Sequence, residues 1–251
     1  MQLALECPTK LLGQIQPFAD IDFMLTHLVL QDESYRKFYT SSEKAKFLDN
    51  SVNELGTPAS LEEIQKAYEL VKGRYPLNVI SPDFLGDVDK TVSAFVEALK
   101  LFQPLGQSVV PVLQGSTYEE AFMCLSAYIR VHNNSANFLL AVPYDICSTK
   151  EDPPELMSLR RALIVSNFPP PLQVHLLGFT SVEELFWYRG KSQIVSIDTG
   201  VPVLQGLRGK GIEDSIESKK EPSLKLMEDL PLTKDGYSNI CRNLALLRTY
   251  M

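Results

Sequence analysis

Short apolar runs alternate with longer amphipathic stretches along most of the chain. The short runs are rich in β-branched or other apolar residues and end at polar, Gly or Pro positions, which is typical of strands buried on both faces. They predict strands over residues 21–30, 46–52, 77–83, 108–114, 137–142, 172–177 and 194–198. Strands that alternate with helices in this way favour a parallel sheet with crossover helices.

The amphipathic stretches predict helices over residues 61–72, 87–102, 118–131, 154–165 and 182–188, and a closing helix over 239–250. Ser60, Thr117 and Ser181 each stand before acidic residues at the start of such a stretch, as helix-capping residues do. Seven strands are clear, and an eighth is not. Residues 206–232 are charged and turn-rich, and we expect a long loop there that carries a weak final strand. No linker-like segment divides the chain, so one domain over residues 1–251 is favoured.

Composition and charge narrow the class of protein. The 251 residues, 45% of them hydrophobic, fit a single α/β barrel domain, which commonly has about 200–250 residues. The first residues lack the pattern of a signal peptide, and no apolar stretch approaches the roughly 20 residues of a membrane helix. We therefore expect a soluble, cytoplasmic protein. The four cysteines contain no CxxC pair, which weighs against a disulfide framework and a Cys-rich zinc site.

Four polar residues follow directly on predicted strands. They are Asp49, Asp83, Gln114 and Asp198, and each precedes a turn with Gly, Pro or a small residue. In a barrel the carboxyl ends of the strands carry the functional site, and carboxylates gathered there raise one another's pKa. That setting suits an acid/base with a carboxylate nucleophile. The alternative is that strand-end aspartates cap the next helix or brace a turn, and for a single one that is the more common role.

Motifs of several other enzyme classes are absent from the sequence. It contains no HExxH, phosphate loop, GxGxxG or GxSxG, which weighs against a metalloenzyme, an NTPase and a conventional serine hydrolase. His27 and His175 lie within apolar runs and are predicted to be core or supporting side chains.

The segments that hold these residues resemble the tRNA-guanine transglycosylase family, in order, over roughly residues 20–212. FLDNSVNELG resembles the family's strand that ends in Asp-Ser-Gly-Gly or Asp-Asn-Gly, and ISPDF resembles the strand with its base-reading aspartate. VVPVLQG is similar to its Val-Gln-Gly strand, and LLAVPYD to its Leu-Ala-Val-Gly-Glu turn. The stretch from HLLGFTSVEEL to VSIDTGVP is the most specific, and resembles the Gly-Val-Gly-Thr-Pro-Glu-Asp-Leu segment with the nucleophile strand after it.

The resemblance implies a (β/α)8 TIM-type barrel that exchanges guanine in nucleic acid for a 7-deazaguanine base, with no cofactor. Asp198 would be the nucleophile that attacks the anomeric carbon of the target guanosine. Asp49 would protonate the departing guanine and deprotonate the incoming base, as the acid/base of a retaining glycosidase does.

Base recognition is implied in the same way. The side chains of Asp83 and Gln114 would bind the edge of the base. Backbone groups of Gly115, Leu140 and Ala141 would complete the pocket.

The sequence also departs from the family. The C-terminal zinc site of the tRNA enzymes is missing, since Cys241 is the only cysteine of the tail and no histidine follows it. The basic segment after the nucleophile is replaced by VPVLQGLRGKG, which leaves Arg208 and Lys210 as candidates for contact with phosphates. The short chain, the missing zinc site and the Asp-Asn pair at residues 49–50 favour the DNA-modifying branch, found in phages and bacterial modification clusters, over the tRNA branch.

Other interpretations stay open. The chain could act on tRNA, or be a non-catalytic barrel that serves as an accessory or binding subunit, as the net charge of −7 suggests. It could also be an unrelated barrel hydrolase that uses the same two carboxylates. The expected partners are DNA or tRNA and a 7-deazaguanine base, with no membrane. The expected location is the cytoplasm, which would be that of the bacterial host if a phage encodes the protein. The oligomeric state is open, a homodimer included.

Overall fold

The computed structural model describes residues 1–149, 151–178, 181–213 and 223–251. Within these ranges the chain forms eight strands: β1 (Gln2–Leu5), β2 (Asp22–Leu25), β3 (Lys46–Asp49), β4 (Leu77–Ile80), β5 (Ser108–Val110), β6 (Leu139–Pro143), β7 (Gln173–Leu177) and β8 (Ile194–Thr199). The helices of the same ranges are α1 (Leu12–Ile15), α2 (Thr26–Gln31), α3 (Glu33–Ser41), α4 (Val52–Leu55), α5 (Leu61–Val71), α6 (Val88–Phe102), α7 (Tyr118–Val131), α8 (Pro154–Ser166), α9 (Glu183–Tyr188), α10 (Val201–Leu207), α11 (Ser223–Glu228) and α12 (Lys234–Tyr250).

The strands form two parallel four-stranded sheets. Their orders are β1-β8-β7-β6 and β2-β3-β4-β5. Two isolated parallel bridges, Ala4–Ile21 and Val112–Ala141, run from one sheet to the other. The predicted mixed α/β class with parallel strands and crossover helices is therefore confirmed.

The eighth strand is β1, at the start of the chain, where the pattern predicted none. It pairs with β8 in the register Ala4–Asp198. The prediction of a weak strand within residues 206–232 is wrong for the described part of that range, which contains the end of α10, a turn and α11. Residues 214–222 lie outside the described residues.

Several predicted strands are shorter than the apolar runs that predicted them. The run over residues 21–30 is strand β2 only as far as Leu25, and α2 follows without a break. The run over 46–52 ends as a strand at Asp49. Apolar residues alone do not distinguish a buried strand from a buried helix, so the point of change was not visible in the sequence.

Hydroxyl caps start two of the helices as predicted. Ser60 and Glu63 form a reciprocal capping box at α5, and the Thr117 hydroxyl accepts from the Glu120 amide at α7. Helix α9 starts one residue later than expected, at Glu183. The buried apolar side chains of these helices belong to the same hydrophobic cluster as those of the strands. Because the strands are parallel within each sheet, their carboxyl ends lie at one edge of that sheet.

Buried apolar side chains from all eight strands belong to one continuous cluster. In the part of the chain that the structure describes, no helix is both long and apolar enough to span a lipid bilayer.

Candidate active site

A cavity of about 350 Å³ opens at the carboxyl ends of the strands. All four polar residues that the sequence placed at strand ends line it: Asp49, Asp83, Gln114 and Asp198. They come from β3 and β8 and from the segments after β4 and β5. The parallel arrangement thus brings together four side chains that are up to 149 positions apart in sequence.

Asp198 is held by two hydrogen bonds on one oxygen. Its Oδ1 lies 3.0 Å from His175 Nε2 and accepts from the Gly178 amide at 3.0 Å. The other ring nitrogen, Nδ1, lies 2.8 Å from the Ser196 hydroxyl. Both contacts are satisfied when the imidazole donates from Nε2 and accepts at Nδ1. Within the described residues no donor reaches Asp198 Oδ2, so that oxygen is the one placed to act on a ligand.

Two aromatic rings pack against the imidazole of His175. It stacks on Phe47 with a centroid distance of 4.5 Å and on Phe23 at 6.0 Å. The sequence predicted a core or supporting role for His175, and the structure places it fully buried against Asp198.

Asp49 is the last residue of β3 and is almost fully buried. Burial raises the pKa of its carboxyl well above the usual value, and the neighbouring charges of Glu54, Asp83 and Asp198 raise it further. A single amide, that of Ser51, donates to Oδ2 at 2.7 Å and opposes the rise in pKa. The carboxyl is therefore suited to hold a proton and to donate it.

Asp83 and Gln114 form a joined pair. Gln114 Nε2 donates to Asp83 Oδ2 at 2.6 Å, and Asn50 Nδ2 donates to Oδ1 at 2.8 Å. Burial raises the pKa of Asp83 to about 6, although the two amide donors lower it. Gln114 Oε1 accepts in turn from the Gly86 amide at 3.2 Å. Asp83, Gln114 and Gly86 all line the cavity, so this hydrogen-bonded network forms part of its wall.

Gly115 lines the cavity where the chain passes close to α7. A Cβ at this position would lie 2.5 Å from the Ala121 nitrogen, so only glycine fits. Its carbonyl accepts from the Cys147 amide at 3.3 Å, which ties the segment after β5 to the segment after β6.

Four other predicted residues do not reach the cavity lining. Leu140 and Ala141 are fully buried in β6, and the backbone groups of Ala141 are bonded to Pro111 and Leu113. The cavity is lined instead from Pro143 onward, because β6 continues past the positions that the sequence suggested. Arg208 and Lys210 are exposed beyond the end of α10, which begins at the cavity and leads away from it.

The cavity contains more acids than the sequence predicted. Among the described residues seven carboxylate side chains line it, and Glu6, Glu54, Asp145 and Asp152 join the three predicted ones. None of the described lining residues is a Lys, Arg or His, although Arg160 pairs with Asp152 at 2.6 Å. Glu6 follows directly on β1, which the pattern did not predict, and Asp145 stands two residues beyond the end of β6.

The described residues hold no group of three or more His, Cys, Asp and Glu side chains that could bind a metal ion. The arrangement instead combines a carboxylate held by donors, an acid of raised pKa and an Asp–Gln pair in one small cavity. Comparison of the sequence with models of protein families and with curated proteins gives no match.

Proposed function

We propose that this protein is a guanine transglycosylase that replaces guanine in DNA by a 7-deazaguanine base through an intermediate covalently bound to Asp198. One observation carries the proposal: Asp198, Asp49 and the Asp83–Gln114 pair line the same cavity, in environments that suit three different tasks. The resemblance of the surrounding segments to the transglycosylase family supports the same assignment.

In the first half of the reaction, Asp198 Oδ2 attacks C1′ of the target guanosine and forms a glycosyl ester. The bond from C1′ to guanine N9 breaks, and Asp49 gives its proton to the departing base. The raised pKa of Asp49 supports this role, because a carboxyl that is already ionised has no proton to give. The donors on Oδ1, from His175 and Gly178, keep Oδ2 turned toward the sugar.

In the second half, the 7-deazaguanine takes the position of guanine. Asp49 removes its N9 proton, the base attacks C1′, and the ester to Asp198 breaks. Asp83 and Gln114 bind the base edge that guanine and the 7-deazaguanine have in common. The target nucleotide leaves the stack to reach the cavity, at a cost of a few kcal/mol in a duplex.

We infer that the two sheets belong to one closed (β/α)8 barrel. The bridges Ala4–Ile21 and Val112–Ala141 support this inference at both junctions between the sheets. Backbone hydrogen bonds at the same junctions, from Ile21 to Leu3 at 3.3 Å and from Leu113 to Ala141 at 2.9 Å, support it as well.

A second candidate function is that of a non-catalytic barrel acting as an accessory subunit. The seven carboxylates of the cavity and the absence of basic residues from its described lining favour it, because a polyanion is repelled there. Phosphate binding by Arg208 and Lys210, at the far end of α10, stays a prediction.

A base-exchange assay with an Asp198→Asn variant separates these functions. Protein is incubated with guanine-labelled DNA or tRNA and a 7-deazaguanine, and released guanine is measured. Asparagine keeps an acceptor for both His175 and Gly178, so the variant should fold while it loses the nucleophile. We expect release from DNA by the wild type and a loss of about 10⁴-fold or more in the variant, as removal of a nucleophile causes.

Release from tRNA alone would assign the chain to the tRNA branch. Release that is the same in Asp198→Asn, or no release from either substrate, would contradict the transglycosylase and favour the accessory subunit.

A further inference from the structure

Arg161 of α8 is a fully buried arginine that does not itself line the cavity. Its Nε and Nη2 donate to the two carboxylate oxygens of Glu184 at 2.6 and 2.7 Å. Its Nη1 lies within 3.1 Å of three carbonyl oxygens, those of Val142, Leu177 and Gly178. A buried guanidinium with this many partners has one orientation available.

The carboxylate of Glu184 is itself fixed. It is fully buried and accepts from the Tyr188 hydroxyl at 3.0 Å. The planar pair of Glu184 and Arg161 therefore points Nη1 at the carboxyl ends of β6 and β7 in a set direction.

The three carbonyls that Nη1 binds belong to the cavity wall or adjoin it. Leu177 and Gly178 line the cavity, and Val142 precedes Pro143, which also lines it. The Tyr144 amide donates to the Leu177 carbonyl at 2.9 Å, so the ends of β6 and β7 are joined at this point. The Gly178 amide, in the same residue whose carbonyl Arg161 binds, donates to Asp198 Oδ1.

We infer that Arg161 is a positioning residue for Asp198: it holds the end of β7 and Gly178 so that the Gly178 N–H faces the carboxylate. The inference rests on the proposed function for the role of Asp198. The alternative is that the Arg161–Glu184 pair only contributes to the stability of the fold, in which case its loss would not alter the Gly178 contact in the folded protein.

The test compares Arg161→Lys and Glu184→Gln with the wild type. Lysine keeps the charge, but its single ammonium group cannot bind Glu184 and the three carbonyls together. Glu184→Gln keeps the arginine and the shape of its partner, and serves where Arg161→Lys does not fold. Arg248→Lys is the matched control, because Arg248 also binds a carboxylate through two nitrogens, that of Asp20, at a partly exposed site.

Two readouts are measured on folded protein. The first is the amide resonance and hydrogen-exchange rate of Gly178 by NMR, which requires no activity. The second is guanine exchange, in which we expect kcat to fall on the order of 10²-fold for Arg161→Lys. The KM for the base should stay within about twofold, since Asp83 and Gln114 are untouched. Glu184→Gln should change both readouts in the same direction by less, and Arg248→Lys should change neither.

An unchanged Gly178 amide in the folded Arg161 and Glu184 variants would overturn the inference, as would a loss of kcat no larger than that of Arg248→Lys. Failure of the proposed function is a separate result. If the wild type exchanges no base, the NMR measurement on the Gly178 amide alone decides whether Arg161 positions Gly178.

Discussion

The carboxylates of Asp83 and Asp198 are both buried at the cavity, but their surroundings differ. Each oxygen of Asp83 accepts from a side-chain amide, whereas both donors to Asp198 meet at Oδ1. An acceptor with both oxygens fixed suits recognition, and one with a single oxygen held suits attack by the other. Burial nevertheless raises the pKa of Asp83 to about 6, so this residue binds a proton more readily than it does in the unfolded chain.

The raised pKa of Asp83 makes folding stability depend on pH in a defined direction. Below about pH 4 both the folded and the unfolded chain are protonated here, and above about pH 6 both are ionised. Between these limits only the folded state holds the proton, so this residue destabilises the fold progressively as pH rises. Relative to Asp83→Asn, the wild type should gain about 1.4 kcal/mol in free energy of unfolding per pH unit as pH falls from 6 to 4.

Urea denaturation of wild type and Asp83→Asn at several pH values measures this difference. The comparison cancels the contributions of groups that do not interact with Asp83, such as Asp20, whose pKa is lowered and whose effect on stability has the opposite sign. Parallel stability curves for the two proteins over this range would show that Asp83 does not titrate as its environment indicates.

At the scale of elements, the hexapeptide VPVLQG shows what local sequence leaves open. Its first copy, residues 110–115, ends strand β5, bridges to β6 through Val112 and delivers Gln114 to the cavity. Its second copy, residues 201–206, lies in helix α10. The two copies differ in the residues on both sides and in what packs on them, so the six residues alone do not decide between strand and helix.

The same limit explains which parts of the site were predictable. Aspartates and a glutamine directly after apolar runs identified Asp49, Asp83, Gln114 and Asp198, because parallel strands end on one side of a fold. Glu6 was not predicted as a site residue because β1 has only four residues and lies outside the alternating pattern of strands and helices. The burial of Arg161 was not predicted either, since nothing in the sequence of an amphipathic helix distinguishes a buried arginine from an exposed one.

The predicted helix starts depend on only a few neighbouring residues, and the N-cap of α5, Ser60, allows such a prediction to be tested. Its hydroxyl accepts from the Glu63 amide, and Glu63 Oε2 accepts from the Ser60 amide at 2.8 Å. Ser60→Ala should lower the free energy of unfolding by about 1 kcal/mol, whereas Ser60→Gly should cost a few tenths. Chemical denaturation of both variants measures the difference. An alanine variant as stable as the wild type would show that α5 is held by its packed face alone.

At the scale of the whole molecule, helix α12 joins the two ends of the chain. Asn243 donates to the carbonyls of Pro202 and Lys210 and accepts from the Ile212 amide, which fixes α12 against α10. Near its other end Arg248 binds the carboxylate of Asp20, in the segment between β1 and β2. The Asp20 carboxylate in turn accepts from the Leu3 amide at 2.7 Å. Helix α12 therefore connects the segment after β8, the strand that carries Asp198, to the segment after β1, the strand that pairs with β8.

The contact between α10 and α12 depends on the absence of a side chain at Gly206. A Cβ there would lie 2.4 Å from Ile240 Cγ1 and 2.6 Å from the Ile240 nitrogen, so Gly206→Ala forces the two helix backbones apart. We expect a loss of about 3 kcal/mol or more in free energy of unfolding, at the upper end for overpacked cores. Gly13→Ala is the matched control, because a Cβ at Gly13 meets nothing within 4 Å and alanine favours the helix there. Urea denaturation of both variants measures the two effects. Equal stability of Gly206→Ala and Gly13→Ala would mean that α12 can move away from α10 at little cost in free energy of unfolding, and that the close contact between the two helices does not stabilise the fold.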